Sequence, residues 1–214
     1  MSSNVNQYYP TPPEAAIPLV QWLDGRGVNP LGDVVDPAAG RGALPMFLSP
    51  LGGNWHTYEI QGQFKPDLEA LPSVSSVTMG DSLSREWPEG TAIVANPPYG
   101  KILSRFVDKI HGHCRANKTL GAVLTRATWW GESRRGALYR PDVLLWIAGR
   151  ISFTGDKNFD TSTHCWAVWL PTPSDSTEVI WLPKGVPEKA QTLAHLRMLG
   201  IDQHQLDMFD GGSA

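Results

Sequence analysis

The tetrapeptide Asn96-Pro97-Pro98-Tyr99 carries groups that could hold a planar amine. It follows residues 91–95, an apolar run with β-branched residues that predicts a buried strand of a parallel sheet. The two prolines end that strand because neither has an N–H for a ladder. The asparagine oxygen and a proline carbonyl can accept both hydrogens of an –NH₂ group while the tyrosine stacks on the attached heterocycle. This chemistry suits methylation of an exocyclic amine.

Three carboxylates follow three earlier predicted strands. Asp36 opens a turn that contains Gly40 and Gly42, and glycines are needed where a backbone approaches a ligand closely. Glu59 comes about 20 residues later, where a carboxylate can hold ribose hydroxyls. Asp81 ends the third strand, where its oxygen could accept from an adenine amine. Any one of these acids could be a solvated loop residue, but the three together indicate a ligand site at one edge of a sheet.

The elements that must position these residues alternate along the chain, which predicts a mostly parallel sheet between helices. The expected strands are 33–36, 55–60, 77–81, 91–95, 121–125, 143–148 and 164–170, with one more short strand at 178–182. The last two of the seven are joined without a helix, so we expect an antiparallel pair at one edge. Helices are expected at 15–23, 102–114 and 187–199, the first capped by Thr11 with Glu14 completing a capping box.

Composition predicts an ordinary globular chain in a reducing compartment. The chain has 214 residues, of which 41% are hydrophobic and 18% charged, enough for one domain with a core. Cys114 and Cys165 lack any metal or redox spacing, and the histidines lack metal spacing, so we expect buried thiols, no metal and a cytoplasmic location. No stretch is apolar enough for a membrane span or a leader. The net charge is −3, yet residues 101–157 hold eleven basic and four acidic residues, so one face could attract phosphates.

The motifs together resemble those of S-adenosylmethionine-dependent amino-methyltransferases. The segments 36–42, 58–60, 80–83 and 96–100 are similar to motifs I to IV in the order typical of that family, and 11–14 resembles the N-terminal motif X of gamma-type DNA adenine-N6 methyltransferases. Residues 121–170 more loosely resemble small phage-type adenine methyltransferases. The resemblance implies a Rossmann-like class I α/β fold with a seven-stranded, mostly parallel sheet. The chain departs from the family in having no large target-recognition domain.

The resemblance also implies a role for each motif residue. Asn96 and the Pro97 carbonyl would orient the target amine, and Tyr99 would stack on the flipped base beside Pro98. The S-adenosylmethionine residues would include Glu59 for the ribose hydroxyls and Ile60 for the adenine ring. The full implied cofactor set is Thr11, Pro12, Asp36, Ala38, Gly40, Gly42, Glu59, Ile60, Asp81, Ser82 and Asn96.

Two further surfaces are expected to bind macromolecules. Aromatic and basic residues after the fifth and sixth strands could contact DNA, although packing at the sheet edge explains them equally well. The candidate DNA contacts in these loops are Trp129, Trp130, Arg134, Arg135 and Lys157, and Lys101 beside the Asn96–Tyr99 turn is a candidate phosphate contact. The C-terminal segment Gln205-Leu206-Asp207-Met208-Phe209 resembles the pentapeptide of bacterial sliding-clamp partners, although chance or docking on the body of the protein could also account for it.

The sequence therefore predicts one methyltransferase domain at 1–200, with a flexible tail at 201–214, that methylates adenine N6 in DNA. Cytosine N4, RNA adenine or guanine, and a protein glutamine amide remain alternative targets. A different class, a non-catalytic DNA- or cofactor-binding module, remains an alternative that intact motifs disfavour. The sequence predicts no particular oligomeric state or recognition sequence.

Overall fold

The computed structural model describes residues 8–28, 31–131, 133–154 and 162–198. The helices are α1 Pro13–Gly25, α2 Ala43–Phe47, α3 Lys65–Glu69, α4 Leu103–Asn117, α5 Ser133–Leu138 and α6 Lys189–Met198. The strands are β1 Asp33–Asp36, β2 Asn54–Glu59, β3 Val74–Met79, β4 Ala92–Ala95, β5 Gly121–Arg126, β6 Val143–Ala148, β7 His164–Trp169 and β8 Glu178–Pro183. Short 3-10 helices span Ser49–Leu51, Gly62–Phe64, Ser82–Ser84 and Ala127–Gly131.

All eight strands form one sheet in the order β3-β2-β1-β4-β5-β7-β6-β8. Strand β7 is antiparallel to both β5 and β6, while the other neighbouring pairs are parallel. The expected α/β class and the antiparallel β6–β7 pair are therefore confirmed. The short strand at 178–182 also forms, as β8, and makes the sheet eight-stranded instead of seven-stranded. Because β8 pairs with β6, the antiparallel pair lies inside the sheet edge.

The sheet has a packed apolar layer on each face. Strands β4 and β7 are buried along their whole length, as expected for central strands covered on both sides. Residues that alternate along the strands divide between the two layers, so that Val94 packs in the layer with α1 and Ile93 in the layer with α4. Helix α4 buries residues at helical spacing, namely Leu103, Phe106, Val107, Ile110 and Cys114.

Helix α4 lies very close to the start of β5. A methyl group added at Gly121 would lie 2.6 Å from the Cys114 sulfur and 3.1 Å from the Trp169 ring. A real Cβ does not approach another atom so closely, so the glycine sets how tightly the helix packs on the sheet. Both cysteines, Cys114 and Cys165, are buried and unpaired, as expected, and burial raises the pKa of each thiol to about 12.

A buried ion pair fixes the edge of the sheet opposite the strands' carboxyl ends. Asp142, fully buried just before β6, receives two hydrogen bonds from the Arg115 guanidinium, at 2.9 and 3.1 Å. The amides of Leu170 and Ser174 donate to the same carboxylate. Burial alone would raise the pKa of Asp142, but the guanidinium and the two amides lower it below its ordinary value.

The N-terminal helix is capped differently from the sequence expectation. Helix α1 begins at Pro13, and its cap is Pro12, whose carbonyl accepts from Ala15 and Ala16. The expectation that Thr11 caps α1 is therefore wrong, since two prolines in a row shift the first helical turn one residue onward. None of the helices in the described ranges is long and apolar enough to cross a membrane.

Candidate active site

A cavity of about 250 Å³ lies at the carboxyl ends of β1, β2, β3 and β4. Because these ends meet at one edge of a parallel sheet, the predicted motif residues converge there. The predicted residues that line the cavity are Thr11, Asp36, Ala38, Gly40, Glu59, Ile60, Asp81, Ser82, Asn96, Pro97, Pro98 and Tyr99. Within the part of the chain that the structure describes, no Lys, Arg or His lines this cavity.

Asp36 has the most buried carboxyl group of the cavity, with 1% of its surface exposed. Its Oδ1 accepts a hydrogen bond of 3.1 Å from the Ala38 amide in the turn that follows β1. Burial raises the pKa of Asp36 to about 8; the Ala38 amide opposes this rise, and the nearby Glu59 carboxylate adds to it. The cavity therefore contains an acid that a bound cation would help to ionise.

Glu59 holds the backbone of the two loops beside it. One carboxylate oxygen accepts from the Gly40 amide and the other from the Gln61 amide, both at 2.7 Å. Gly40 has a positive φ of 56°, and an added Cβ there would lie 2.5 Å from the Tyr8 ring. Glu59 thus joins the turn after β1 to the end of β2, and each oxygen keeps a further lone pair for a ligand hydroxyl.

Two predicted cofactor residues lie outside the lining of the cavity. Gly42 has a φ of 85°, and a Cβ there would lie 2.3 Å from a methyl group of Leu71. Its lack of a side chain therefore serves the turn and its packing against the segment after α3. Pro12 caps α1 through its carbonyl. Neither residue lines the cavity, and the direct-contact roles implied for Gly42 and Pro12 stay predictions.

The ends of β2 and β3 form the far side of the cavity. Ile60 is 59% exposed although it is a large apolar residue, and it lies at the cavity wall. Asp81 caps the 3-10 helix after β3 by accepting from the Leu83 amide at 3.0 Å through Oδ1, and its other oxygen is not engaged in that cap. An exposed apolar side chain beside a carboxylate is suited to a flat ring that carries an amine.

Asn96 and Tyr99 form the near side, directly after β4. The Asn96 Nδ2 donates to the Tyr9 carbonyl at 3.1 Å, which leaves Oδ1 as the acceptor of the amide. The Tyr99 hydroxyl lies 3.5 Å from that Oδ1. The Tyr99 ring meets the rings of Phe153 and His164 at 6.2 and 6.0 Å, and the Arg126 guanidinium lies 5.5 Å from its centre. Packing on several sides therefore fixes the ring at the mouth of the turn.

Sequence reasoning missed the segment that joins the two sides of the cavity. Tyr8 packs on Gly40 and on the Phe64 ring, with ring centres 4.7 Å apart, while Tyr9 holds Asn96. Tyr8, Tyr9 and Pro10 all line the cavity. We call residues 8–11 the N-terminal strap. Two aromatic residues directly before Pro10 and Thr11 were the available signal, but only the fold shows what they cover.

The candidate DNA contacts differ in their accessibility. Trp129 and Trp130 are only 9% and 8% exposed, and the Trp130 indole donates to the Thr125 hydroxyl at 2.7 Å. Edge packing thus describes this pair, and a role as an exposed stacking surface does not match their burial. Arg134 is exposed, and the Arg135 guanidinium lies 5.0 Å from the Trp129 ring centre.

The other predicted macromolecule contacts divide between one exposed residue and residues outside the described ranges. Lys101 is exposed directly after Gly100 and the Asn96–Tyr99 turn, as its predicted role requires. Lys157 and the clamp-like peptide 205–209 lie outside the described residues.

Several basic residues of 101–157 bind structural partners, while a shared phosphate-attracting face stays a prediction. Arg115 binds Asp142 at the opposite edge of the sheet. Lys109 donates to backbone carbonyls after β3, including that of Ser82 at 2.9 Å, and Arg140 donates to the Ser174 carbonyl. Three of the eleven cations thus stabilise the fold, because neighbours in sequence on a helix or turn point in different directions.

Solved structures share this architecture. A candidate RNA methyltransferase from Pyrococcus horikoshii superposes with a TM-score of 0.58 at 17% identity, over 79% of this chain and 92% of its own. The modification subunit of a candidate type I restriction enzyme from Vibrio vulnificus gives 0.54 at 16%, over 88% of this chain and 49% of its own. A dimethyladenosine transferase from Plasmodium falciparum gives 0.51 at 15%, over 72% and 61%.

These likenesses establish the fold, which is the Rossmann-like class I methyltransferase fold. No protein-family model matches the chain, and no curated protein sequence matches it. The chemistry must therefore be argued from the residues of the cavity.

Proposed function

We propose that this protein transfers a methyl group from S-adenosylmethionine to the exocyclic N6 amine of adenine in DNA. One observation carries the proposal. An acid-lined cavity with no cation in its described lining opens beside Asn96-Pro97-Pro98-Tyr99, a turn that offers oxygen acceptors next to an aromatic ring. The acid-lined cavity suits a cationic methyl donor, and the turn with its oxygen acceptors suits a planar amine.

The cavity fits S-adenosylmethionine on charge and shape. Asp36, Glu59 and Asp81 would favour the positive sulfonium and ammonium groups, and the raised pKa of Asp36 marks a buried carboxyl that lacks a cationic partner in the cavity wall. The exposed Ile60 offers an apolar face for the adenine ring of the cofactor. When bound, the cofactor supplies an electrophilic methyl group.

The chain's own residues prepare the target nitrogen. The lone pair of an adenine amine is delocalised into the ring, so the amine is a poor nucleophile. Asn96 Oδ1 and the Pro97 carbonyl would each accept one N–H bond, which pulls the nitrogen toward tetrahedral geometry and orients its lone pair into the cavity. Positioning and electrostatics supply most of the rate enhancement in such a site, and no strong base is needed before transfer. The surplus proton on the methylated nitrogen then leaves to water.

DNA is the favoured substrate for reasons that begin with the strap. Thr11, in the segment that resembles motif X of gamma-type DNA adenine-N6 methyltransferases, lines the cavity at 2% exposure. A paired adenine must leave the duplex to reach Asn96, and stacking on Tyr99 would offset part of an unstacking cost of a few kcal/mol. The known structures of this fold include proteins named for RNA and for dimethyladenosine. RNA is therefore the rival substrate that the test must exclude.

The test is methylation with labelled cofactor of DNA, total RNA and a protein extract, followed by identification of the modified nucleoside. We expect N6-methyladenine in DNA. Label in RNA alone would transfer the assignment to RNA, and label in protein alone would overturn it.

Asn96→Ala tests the mechanism within the same assay. This variant should bind the cofactor normally and lose methyl transfer by about 100-fold or more, since the acceptor of the amine is gone. Asn54→Ala is the matched control, because Asn54 is an exposed asparagine at the opposite end of β2. Near-normal turnover by Asn96→Ala would contradict the assigned role.

A further inference from the structure

A second hollow lies on the same edge of the sheet as the cavity but at the other end. It is lined by Ala148, Gly149, Arg150 and Lys184, with a volume of about 260 Å³. Ala148 ends β6 and pairs with Pro183 at the end of β8, so Gly149 and Lys184 follow neighbouring parallel strands. The cofactor and target roles proposed above use none of these four residues.

Charge is separated along this edge. The described segments that follow β4 and β6, residues 96–102 and 149–154, each contain one cation and no acid, and the segment 184–188 after β8 contains Lys184 at its start and Glu188 at its end. The segment 126–131, which begins at the last residue of β5, also contains one cation and no acid. The four cations are Lys101, Arg126, Arg150 and Lys184. The ends of β1, β2 and β3 instead supply the three carboxylates of the cavity. The boundary between the two halves falls at Asn96.

The hollow has features that suit a phosphate group. Arg150 is exposed, and a guanidinium donates in a fork that matches phosphate oxygens. Gly149 has a φ of 90°, with no atom within 4 Å of the position where a Cβ would be, so a ligand can approach the backbone there. Lys184 supplies a second charge on the adjacent strand.

The strand order gives an approximate distance between the Asn96–Tyr99 turn and the hollow. Strand β6 is three strands from β4 and β8 is four, which at about 4.8 Å per strand gives roughly 14 to 19 Å. Since base pairs stack about 3.4 Å apart, this distance equals roughly four to six base pairs.

We propose that the Arg150–Lys184 hollow holds a backbone phosphodiester of the DNA, about four to six base pairs from the flipped adenine. This inference rests on the proposed function and adds a second DNA-binding site to it. The acidic half of the edge would repel the duplex from the cofactor, while the basic half guides the duplex across β5, β7, β6 and β8. Phosphate contacts of this kind fix the position of a protein along the duplex without recognising the base sequence.

The experiment is DNA binding by the Arg150→Ala, Lys184→Ala double variant, measured by fluorescence anisotropy from about 50 to 200 mM salt. Removal of two phosphate contacts should make the negative slope of log K against log salt shallower by about 2. The affinity should fall roughly tenfold or more at low salt. The KM for DNA should rise, while kcat and cofactor binding stay at wild-type values. The control double variant Arg26→Ala, Lys65→Ala removes the same charge from two exposed ion pairs elsewhere.

Duplex length provides the second measurement. Two duplexes are compared, each cut to end two base pairs from the target adenine, one on its 5′ side and one on its 3′ side. With one of the two, wild type and double variant should bind with equal affinity, because the duplex no longer reaches the hollow. If the wild type methylates DNA but the double variant keeps the wild-type salt slope, the phosphate-binding role of the hollow is refuted and the proposed function is not. Binding of inorganic phosphate by the wild type with no loss of DNA affinity in the variant would also refute binding of a DNA phosphodiester in the hollow. A wild type that neither binds nor methylates DNA would overturn the proposed function as well.

Discussion

Replacing Asp36 by asparagine should remove a strong pH dependence from cofactor binding. In the cofactor-free protein, burial raises the pKa of Asp36 to about 8, so the carboxyl is mostly protonated at neutral pH. A ligand with sulfonium and ammonium charges favours the ionised form. Binding near pH 7 should therefore release a proton from Asp36.

The magnitude follows from the titration of one group. With a pKa of about 8, the carboxyl is ionised in roughly 1% of molecules at pH 6, about a tenth at pH 7 and about nine-tenths at pH 9. If only the ionised form binds, the affinity for S-adenosylmethionine should fall roughly 90-fold from pH 9 to pH 6. The amide side chain of the Asp36→Asn variant does not titrate, so the ratio of wild-type to variant affinity isolates Asp36 from the titration of the cofactor's own amino group.

Isothermal titration calorimetry in buffers of different ionisation enthalpy measures both quantities. Wild type should release close to one proton per cofactor at pH 7, and Asp36→Asn should release about one fewer. Asp33→Asn is the matched control, since Asp33 lies at the start of the same strand and is exposed. Equal proton release by wild type and Asp36→Asn would refute the reasoning, because the carboxyl would then be ionised before binding.

The pH dependence of the folding stability provides an independent test of the raised Asp36 pKa. A folded-state pKa above the unfolded value means that the stability from protonated Asp36 is present at low pH and is lost as the pH rises from about 4 to about 8. Asp36→Asn should therefore raise the melting temperature of the cofactor-free protein at pH 9 and change it little at pH 4.

Two further predictions concern the fold. Gly121→Ala should lower the free energy of unfolding by about 1 to 3 kcal/mol, because the added methyl group would lie 2.6 Å from the Cys114 sulfur of α4. Gly112→Ala, at a position on α4 with open space around it, should raise the free energy of unfolding by up to about 1 kcal/mol. Arg115→Met should cost about 3 to 5 kcal/mol because it leaves the fully buried Asp142 carboxylate without its cation, while Arg26→Met, in an exposed ion pair, should change stability by less than about 1 kcal/mol. Urea denaturation measures all four, and equal effects within either pair would contradict the packing or the burial assigned here.

The sequence predicted the strand ends well because the signals there are local. Runs of β-branched residues, a glycine turn and two prolines each determine where a strand stops, and parallel strands then bring Asp36, Glu59, Asp81 and Asn96 to one edge without further information. The extra strand β8 was visible as a weak pattern, but its partner β6 depends on the sheet order, which local residues do not encode.

The sequence could not predict where long side chains point after the chain folds. Trp129 and Trp130 look like loop aromatics in the sequence, but the 3-10 helix turns them inward against β5. The charge on Lys184 lies outside the basic stretch, yet the sheet places it beside Arg150. Contacts of this kind join residues tens of positions apart, so only the tertiary structure reveals them.

The hydrogen bond from Asn96 to the Tyr9 carbonyl has a consequence for which bases can react. An asparagine amide can rotate by half a turn and exchange its oxygen for its NH₂ group, but a rotated amide would place its oxygen against the Tyr9 carbonyl and lose that bond. The hydrogen bond therefore favours the orientation in which the Asn96 Oδ1 is the acceptor. Thymine O4 and guanine O6 are acceptors and would meet it with lone pairs on both sides, whereas the amines adenine N6, cytosine N4 and guanine N2 are donors. Under the proposed function, a backbone carbonyl in the N-terminal strap thus favours an exocyclic amine over an oxo group at this position.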